Sequence, residues 1–92
     1  MSQALRLCDY TMRTIQELHQ QLVQQLSGSG SVVLDRSDVQ RPNTAMLQLL
    51  AAFARDLRNQ SRPLEWSGAQ GPLDRAAKAL GLSATLGLPI EH

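Results

Sequence analysis

The stretch SVVLDRSDVQRPNTAMLQLLAAFARDL, residues 31–57, changes its apolar rhythm halfway along, and that change decides the fold. Ser31-Val32-Val33-Leu34-Asp35 carries a β-branched run that favours a strand. Arg36 to Pro42 is a polar connection around one apolar residue, Val39, and Pro42 biases Arg41 away from helical geometry. Thr44 to Asn59 is dense in Ala and Leu, and Leu47, Leu50, Ala54 and Leu57 fall on one stripe of a helical wheel. Met46, Leu49 and Phe53 widen the apolar arc along one flank, and Ala51 widens it along the other. The arc is broader than one sheet contact requires. Either the Met46 flank packs against the first or last helix, or it forms a surface patch at the helix start.

The same alternation repeats outward in both directions. In Ala4–Cys8, Leu5 and Leu7 face one way while Ala4, Arg6 and Cys8 face the other, which predicts a short strand. Met12, Ile15, Leu18, Leu22 and Leu26 recur at three and four, predicting an amphipathic helix over 12–26. Thr11 or Thr14 can cap its start, Ser27-Gly28-Ser29-Gly30 ends it, and its polar face is rich in glutamine. Arg62–Trp66 reads as a third strand with Leu64 and Trp66 facing together, and Pro72 suits the first turn of a helix that Gly81 stops. The order β-α-β-α-β-α predicts a single α/β domain over residues 1–92. Its sheet, parallel or mixed, should contain residues 4–8, 31–35 and 63–66, with helices near 12–26, 44–60 and 72–80. Helices should lie mainly on one face, since Arg6 and Glu65 lie opposite the apolar sides of their strands.

At 92 residues the chain has room for one modest core and no deep substrate cleft. Its net charge is +1 and its basic residues are scattered, so nothing electrostatic points to nucleic acid or an anionic membrane as the main partner. The single cysteine, Cys8, has no internal disulfide partner, and its apolar neighbourhood reads as that of a core thiol. No apolar run approaches the ~20 residues of a membrane span, and the start lacks the pattern of a signal peptide. The expected location is the cytoplasm, without membrane insertion, and the sequon Asn59-Gln60-Ser61 is then a chance match. Ile90-Glu91-His92, native or the stub of an affinity tag, carries no functional signal.

Catalytic groupings are missing from the sequence. His19 lies on the glutamine-rich face near Glu17 and reads as solvated, and one cysteine with two histidines cannot compose a zinc site. Asp35 and Asp38 lie near a strand end, where parallel sheets often place functional groups, yet no base, nucleophile or phosphate loop accompanies them. Gly28-Ser29-Gly30 lacks the lysine and spacing of a P-loop. The expectation is a non-enzyme with no metal and no cofactor. Thr44 is different: a hydroxyl at a helix opening sits among unpaired N–H groups and the positive end of the helix dipole. Asn43 or Thr44 can cap the helix there, a contribution of ~1 kcal/mol.

Residues 31–57 resemble the central signature of STAS domains, named for sulfate transporters and anti-anti-sigma factors. The strand is Val32-Val33-Leu34-Asp35, the connection Ser37-Asp38-Val39, and the turn Asn43-Thr44-Ala45-Met46-Leu47. The resemblance continues through Arg62-Pro63-Leu64 and Ala79-Leu80-Gly81-Leu82. Asn43 stands where the family usually has Asp, and Met46 where it usually has Gly. Thr44 falls on the position that is a phosphorylatable Ser or Thr in anti-anti-sigma members.

The resemblance implies a module that binds a protein partner through the helix start at Asn43 and Thr44; on the helical wheel Met46, Leu49 and Phe53 would extend that patch, with Arg55, Arg58 and Arg62 as a rim. In the wider class the partner is an anti-sigma or kinase-like protein and phosphorylation at Thr44 is the switch. The alternative is a cytoplasmic accessory subunit bound to the ATPase of a bacterial phospholipid-transport ABC system. Some stand-alone STAS proteins bind that ATPase through this helix start, using a threonine without phosphorylation. Nucleotide binding, reported for some members, and a homodimer through the open sheet face are further expectations.

Overall fold

Val32–Asp35 forms the central strand, β2, of a three-stranded sheet in the computed structural model, which describes residues 4–88. Leu5–Arg6 (β1) and Leu64–Ser67 (β3) flank it, both parallel to it, with Leu5 opposite Leu34, Leu34 opposite Trp66 and Val32 opposite Leu64. The helices are α1 (Ile15–Leu26), α2 (Thr44–Asn59), α3 (Pro72–Ala79) and a single turn, α4 (Ser83–Leu86). The fold is therefore the expected α/β arrangement, with a wholly parallel sheet. Ile90-Glu91-His92 lie outside the described residues.

Register sorts the side chains between two unlike faces. Leu5, Val32, Leu34, Leu64 and Trp66 belong to or pack on the hydrophobic core, together with residues from every helix. Arg6 and Glu65 on the opposite face are exposed, and Val33, Asp35 and Ser67 are half-buried. Helix α2 is the centre of the core: Met46, Leu47, Leu50, Ala51, Phe53, Ala54 and Leu57 are all buried. Its wide apolar arc is explained by its neighbours, because α2 packs against both α1 and α4 and shares one hydrophobic core with the strand residues Val32, Leu34, Leu64 and Trp66.

Two local expectations are corrected, and one element is new. Cys8 is exposed, not a core thiol: Leu7 is fully buried, and the alternation that turns Leu5 and Leu7 inward turns Arg6 and Cys8 outward. The first helix begins at Ile15 instead of Met12, because Thr11 and Thr14 close a turn ahead of it. Thr14 Oγ1 accepts from Thr11 N at 2.9 Å, which leaves Met12 75% exposed and gives Thr14 no cap bond to make. The turn α4 has no counterpart in the sequence pattern, since four residues are too few to show a period.

Polar side chains join the layers at both edges of the sheet. At the edge where the strands begin, Arg62 Nη1 donates to the carbonyls of Gln25 (3.0 Å) and Leu26 (3.3 Å), and its Nε donates to that of Gly30 (2.8 Å). It thus adds a donor to the last carbonyls of α1, where a cation also suits the dipole. Arg62→Ala should lower folding stability by about 1.5–3 kcal/mol, the range for bonds from a charged donor, as read by urea unfolding.

Tyr10, 5% exposed, donates to Gln21 Oε1 at 3.2 Å. Burial pushes its phenol up to about 12, with Cys8 beside it adding to the effect. The folded pKa lies above the free value near 10, so this contribution to stability is intact below pH ~10 and lost as pH rises toward the folded value. Tyr10 is the single tyrosine. Tyrosinate absorbance should therefore show one midpoint well above 10, and a midpoint at the free value would put Tyr10 in solvent.

Candidate functional site

Three loops leave the strands at their carboxyl ends, and side chains tie the first to the second and the second to the third. Asp9, just beyond β1, accepts through Oδ1 from the backbone N–H groups of Gln40 (2.8 Å) and Arg41 (2.7 Å) in the β2–α2 loop. Asn43 returns the connection: its Nδ2 donates to the Tyr10 carbonyl, and its Oδ1 accepts from Met46 N at 2.8 Å. With an extended backbone (φ −115°, ψ 166°), Asn43 is the N-cap of α2. A carboxylate at this position could cap the helix but could not donate to Tyr10. The amide at this position is thus explained by a bond that only an amide can make.

Thr44, the first residue of α2, is exposed, and its hydroxyl makes no hydrogen bond among the described residues. The other expected partner-binding residues divide. Met46 is 0% and Phe53 3% exposed, so neither contributes surface; α2 is packed on both flanks, and these two side chains fill the core. Leu49 is half-buried in a furrow shared with Ile15, Gln16 and His19 of α1, and His19 itself is exposed, as expected. Among the expected rim residues, Arg58 donates to the Thr85 carbonyl at 3.2 Å and Arg62 holds the far edge of the sheet. Arg55 remains at the surface.

The outward face of α2 is therefore the exposed ridge Thr44, Gln48 and Ala52, with a groove on each side. The groove away from α1, about 420 Å³, is lined by Thr44, Gln48, Ala51, Arg55, Leu80 and Leu82. Gln48, Leu80 and Leu82 were not singled out from the sequence as site residues. The one available signal was Ala51 on the second flank of the wheel, because nothing in the sequence pairs the α3–α4 turn with α2.

The acidic residues near the strand ends serve the loops. Ser37 donates to Asp35 Oδ1 through its hydroxyl (2.6 Å) and its backbone N–H (2.8 Å), and these bonds hold the Asp35 carboxyl below the usual carboxylate range. Gly68, at φ +86°, lies against this turn; a Cβ there would come within 2.4 Å of Ser37 Oγ. Asp38 pairs with Arg6 across 3.6 Å at the surface, a contact of little energetic weight. Arg36 is buried and its Nε lies 3.4 Å from Asp74 Oδ1, which also accepts from Gly71 N at the start of α3. No group of three or more His, Cys, Asp or Glu side chains among the described residues could hold a metal ion.

Asn and Asp are near-equal N-caps in general, so Asn43→Asp isolates the bond to Tyr10. The variant should be less stable by about 1 kcal/mol, the net value of one neutral hydrogen bond, in urea unfolding near neutral pH. Equal or greater stability would mean that the bond to Tyr10 contributes nothing.

No curated protein matches the chain. No described helix is long and apolar enough to cross a membrane. The family described as "Mlab, STAS domain" matches residues 7–89, a span that includes β2, β3, all the helices and Thr44. The chain belongs to the STAS domain family, whose members act generally as regulatory or accessory binding modules.

Proposed function

We propose that this protein is a non-enzymatic cytoplasmic module that docks a protein partner over the opening of α2, with Thr44 at the centre of the contact. One observation carries this reading. Thr44 is exposed at the first position of the helix, while Asn43 already caps it. A hydroxyl with no structural task is free to donate and accept across an interface. The favoured partner is the ATPase of a bacterial phospholipid-transport ABC system. Asn43 supports that choice, because a neutral cap tied to Tyr10 leaves no carboxylate at that position, and docking then depends on shape and hydrogen bonding that are always present.

The exposure of Thr44 also favours a second reading, a phosphorylation-switched regulator of the anti-anti-sigma type. A phosphate there would add close to two negative charges, tolerable beside the positive end of the helix but costly against an acidic or apolar partner.

Thr44→Glu should weaken binding at least tenfold, about 1.4 kcal/mol, while stability stays within ~0.5 kcal/mol of wild type. Thr44→Ala separates the two readings when titrated calorimetrically against the purified ATPase and against an anti-sigma partner. An always-bound subunit that uses the hydroxyl binds less well, whereas a phospho-switched regulator binds fully and becomes insensitive to its kinase. If both variants bind at wild-type strength, the contact surface lies elsewhere.

A further inference from the structure

We infer that the groove between α2 and the α3–α4 turn takes a segment of the docked protein that presents an aliphatic side chain and, about one groove-length apart, a carboxylate. The inference rests on the reading of Thr44 as the docking site and specifies what lies beside it. Thr44, Gln48, Ala51 and Arg55 recur at four, three and four, so they form one stripe of α2 and one side of the groove. At 1.5 Å per residue the stripe is about 16 Å long. That length holds roughly five residues of extended chain.

The groove has an apolar middle and a charged end. Ala51, 2% exposed, forms its floor, and Leu80 and Leu82 form the facing wall. Leu80 is 47% exposed, one of three large hydrophobic side chains left open to water among the described residues. Gly81 between the two leucines, at φ +72°, turns the backbone so that both line the same groove. An aliphatic side chain laid here would take the open face of Leu80 out of water.

Arg55 closes the far end. Arg58 and Arg62 donate to carbonyls, and Arg36 and Arg6 face carboxylates. Arg55, like Arg13, Arg41, Arg75 and Lys78, makes no ion pair or side-chain hydrogen bond among the described residues, and of these five cations it is the one that lines the groove. A planar guanidinium with its donors free, at the end of an apolar trench, matches a carboxylate bound through two parallel N–H bonds. Within the groove the lining holds one cation at the end of an apolar trench, a pattern that fits a single carboxylate on a protein segment rather than a sheet of anionic headgroups.

The probe is the purified ABC ATPase, titrated calorimetrically against the wild-type domain and its variants, with a melting curve for each. Arg55→Glu should weaken binding at least about tenfold. Arg55→Lys, which keeps the charge without the fork, should fall between it and wild type. Leu80→Ser should also weaken binding, while Arg75→Glu, on exposed α3 surface outside the groove, should not. Raising the salt concentration should weaken wild-type binding more than that of Arg55→Ala. If Thr44→Glu abolishes binding while Arg55→Glu and Leu80→Ser retain wild-type affinity, the inference is overturned and the docking site at Thr44 stands. If the wild-type domain does not bind, the ATPase reading and this inference fall together.

Discussion

The carboxamide of Asn43 uses both of its polar atoms, one toward Met46 N at the start of α2 and one toward the Tyr10 carbonyl beyond β1. In a parallel sheet the loops at the strand ends share no regular backbone ladder, so side chains must hold them together. Asp9 supplies the reciprocal contact by accepting from Gln40 and Arg41. The first turn of α2 is therefore fixed at its cap and a few residues before it. The exposure of Thr44 follows from that arrangement: the cap is filled one residue earlier, and the buried Met46 side chain anchors the same turn from below. A surface hydroxyl held this firmly loses little freedom on binding.

The two edges of the sheet have different polar chemistry. Where the strands begin, the guanidinium of Arg62 gathers several carbonyls and closes the end of α1. Where they end, amides and carboxylates brace the loops, and one contact is incomplete. Arg36 Nη1 and Asp74 Oδ2 are buried without hydrogen-bond partners although Nε and Oδ1 of the same side chains are close. A half-satisfied buried pair adds little net stability, and the third loop is also held by hydrogen bonds from Arg36, whose backbone N–H donates to the Ser67 carbonyl at 3.1 Å and whose Nε donates to that of Ala69 at 3.3 Å.

How far the sequence could be read depended on the reach of each interaction. β2 and α2 were legible because their signals are local: a β-branched run, then an apolar period of about three and a half. Thr44 was legible for the same reason, through its place at a helix start. Met46 and Phe53 were misplaced because a helical wheel shows which flank is apolar but not what covers it. Cys8 followed its strand's alternation, and its apolar neighbours in sequence misled. Arg62 reaches carbonyls more than thirty residues away, and Leu80 meets α2 only after the chain has folded, so no local pattern shows either contact.

The parallel order of the three strands also bears on how fast the chain can fold. Among the described residues no strand pairs with another through a hairpin; each pairing spans an intervening helix and two loops. The entropy of closing those long segments is lost before any ladder bond is gained. β1, with only two residues, offers few such bonds in return. An early nucleus is therefore better built from α2 with β2 and β3 than from β1, and β1 should dock late. Substitutions near Leu5 would then mainly speed unfolding, while truncations in the buried stripe of α2 would slow folding itself.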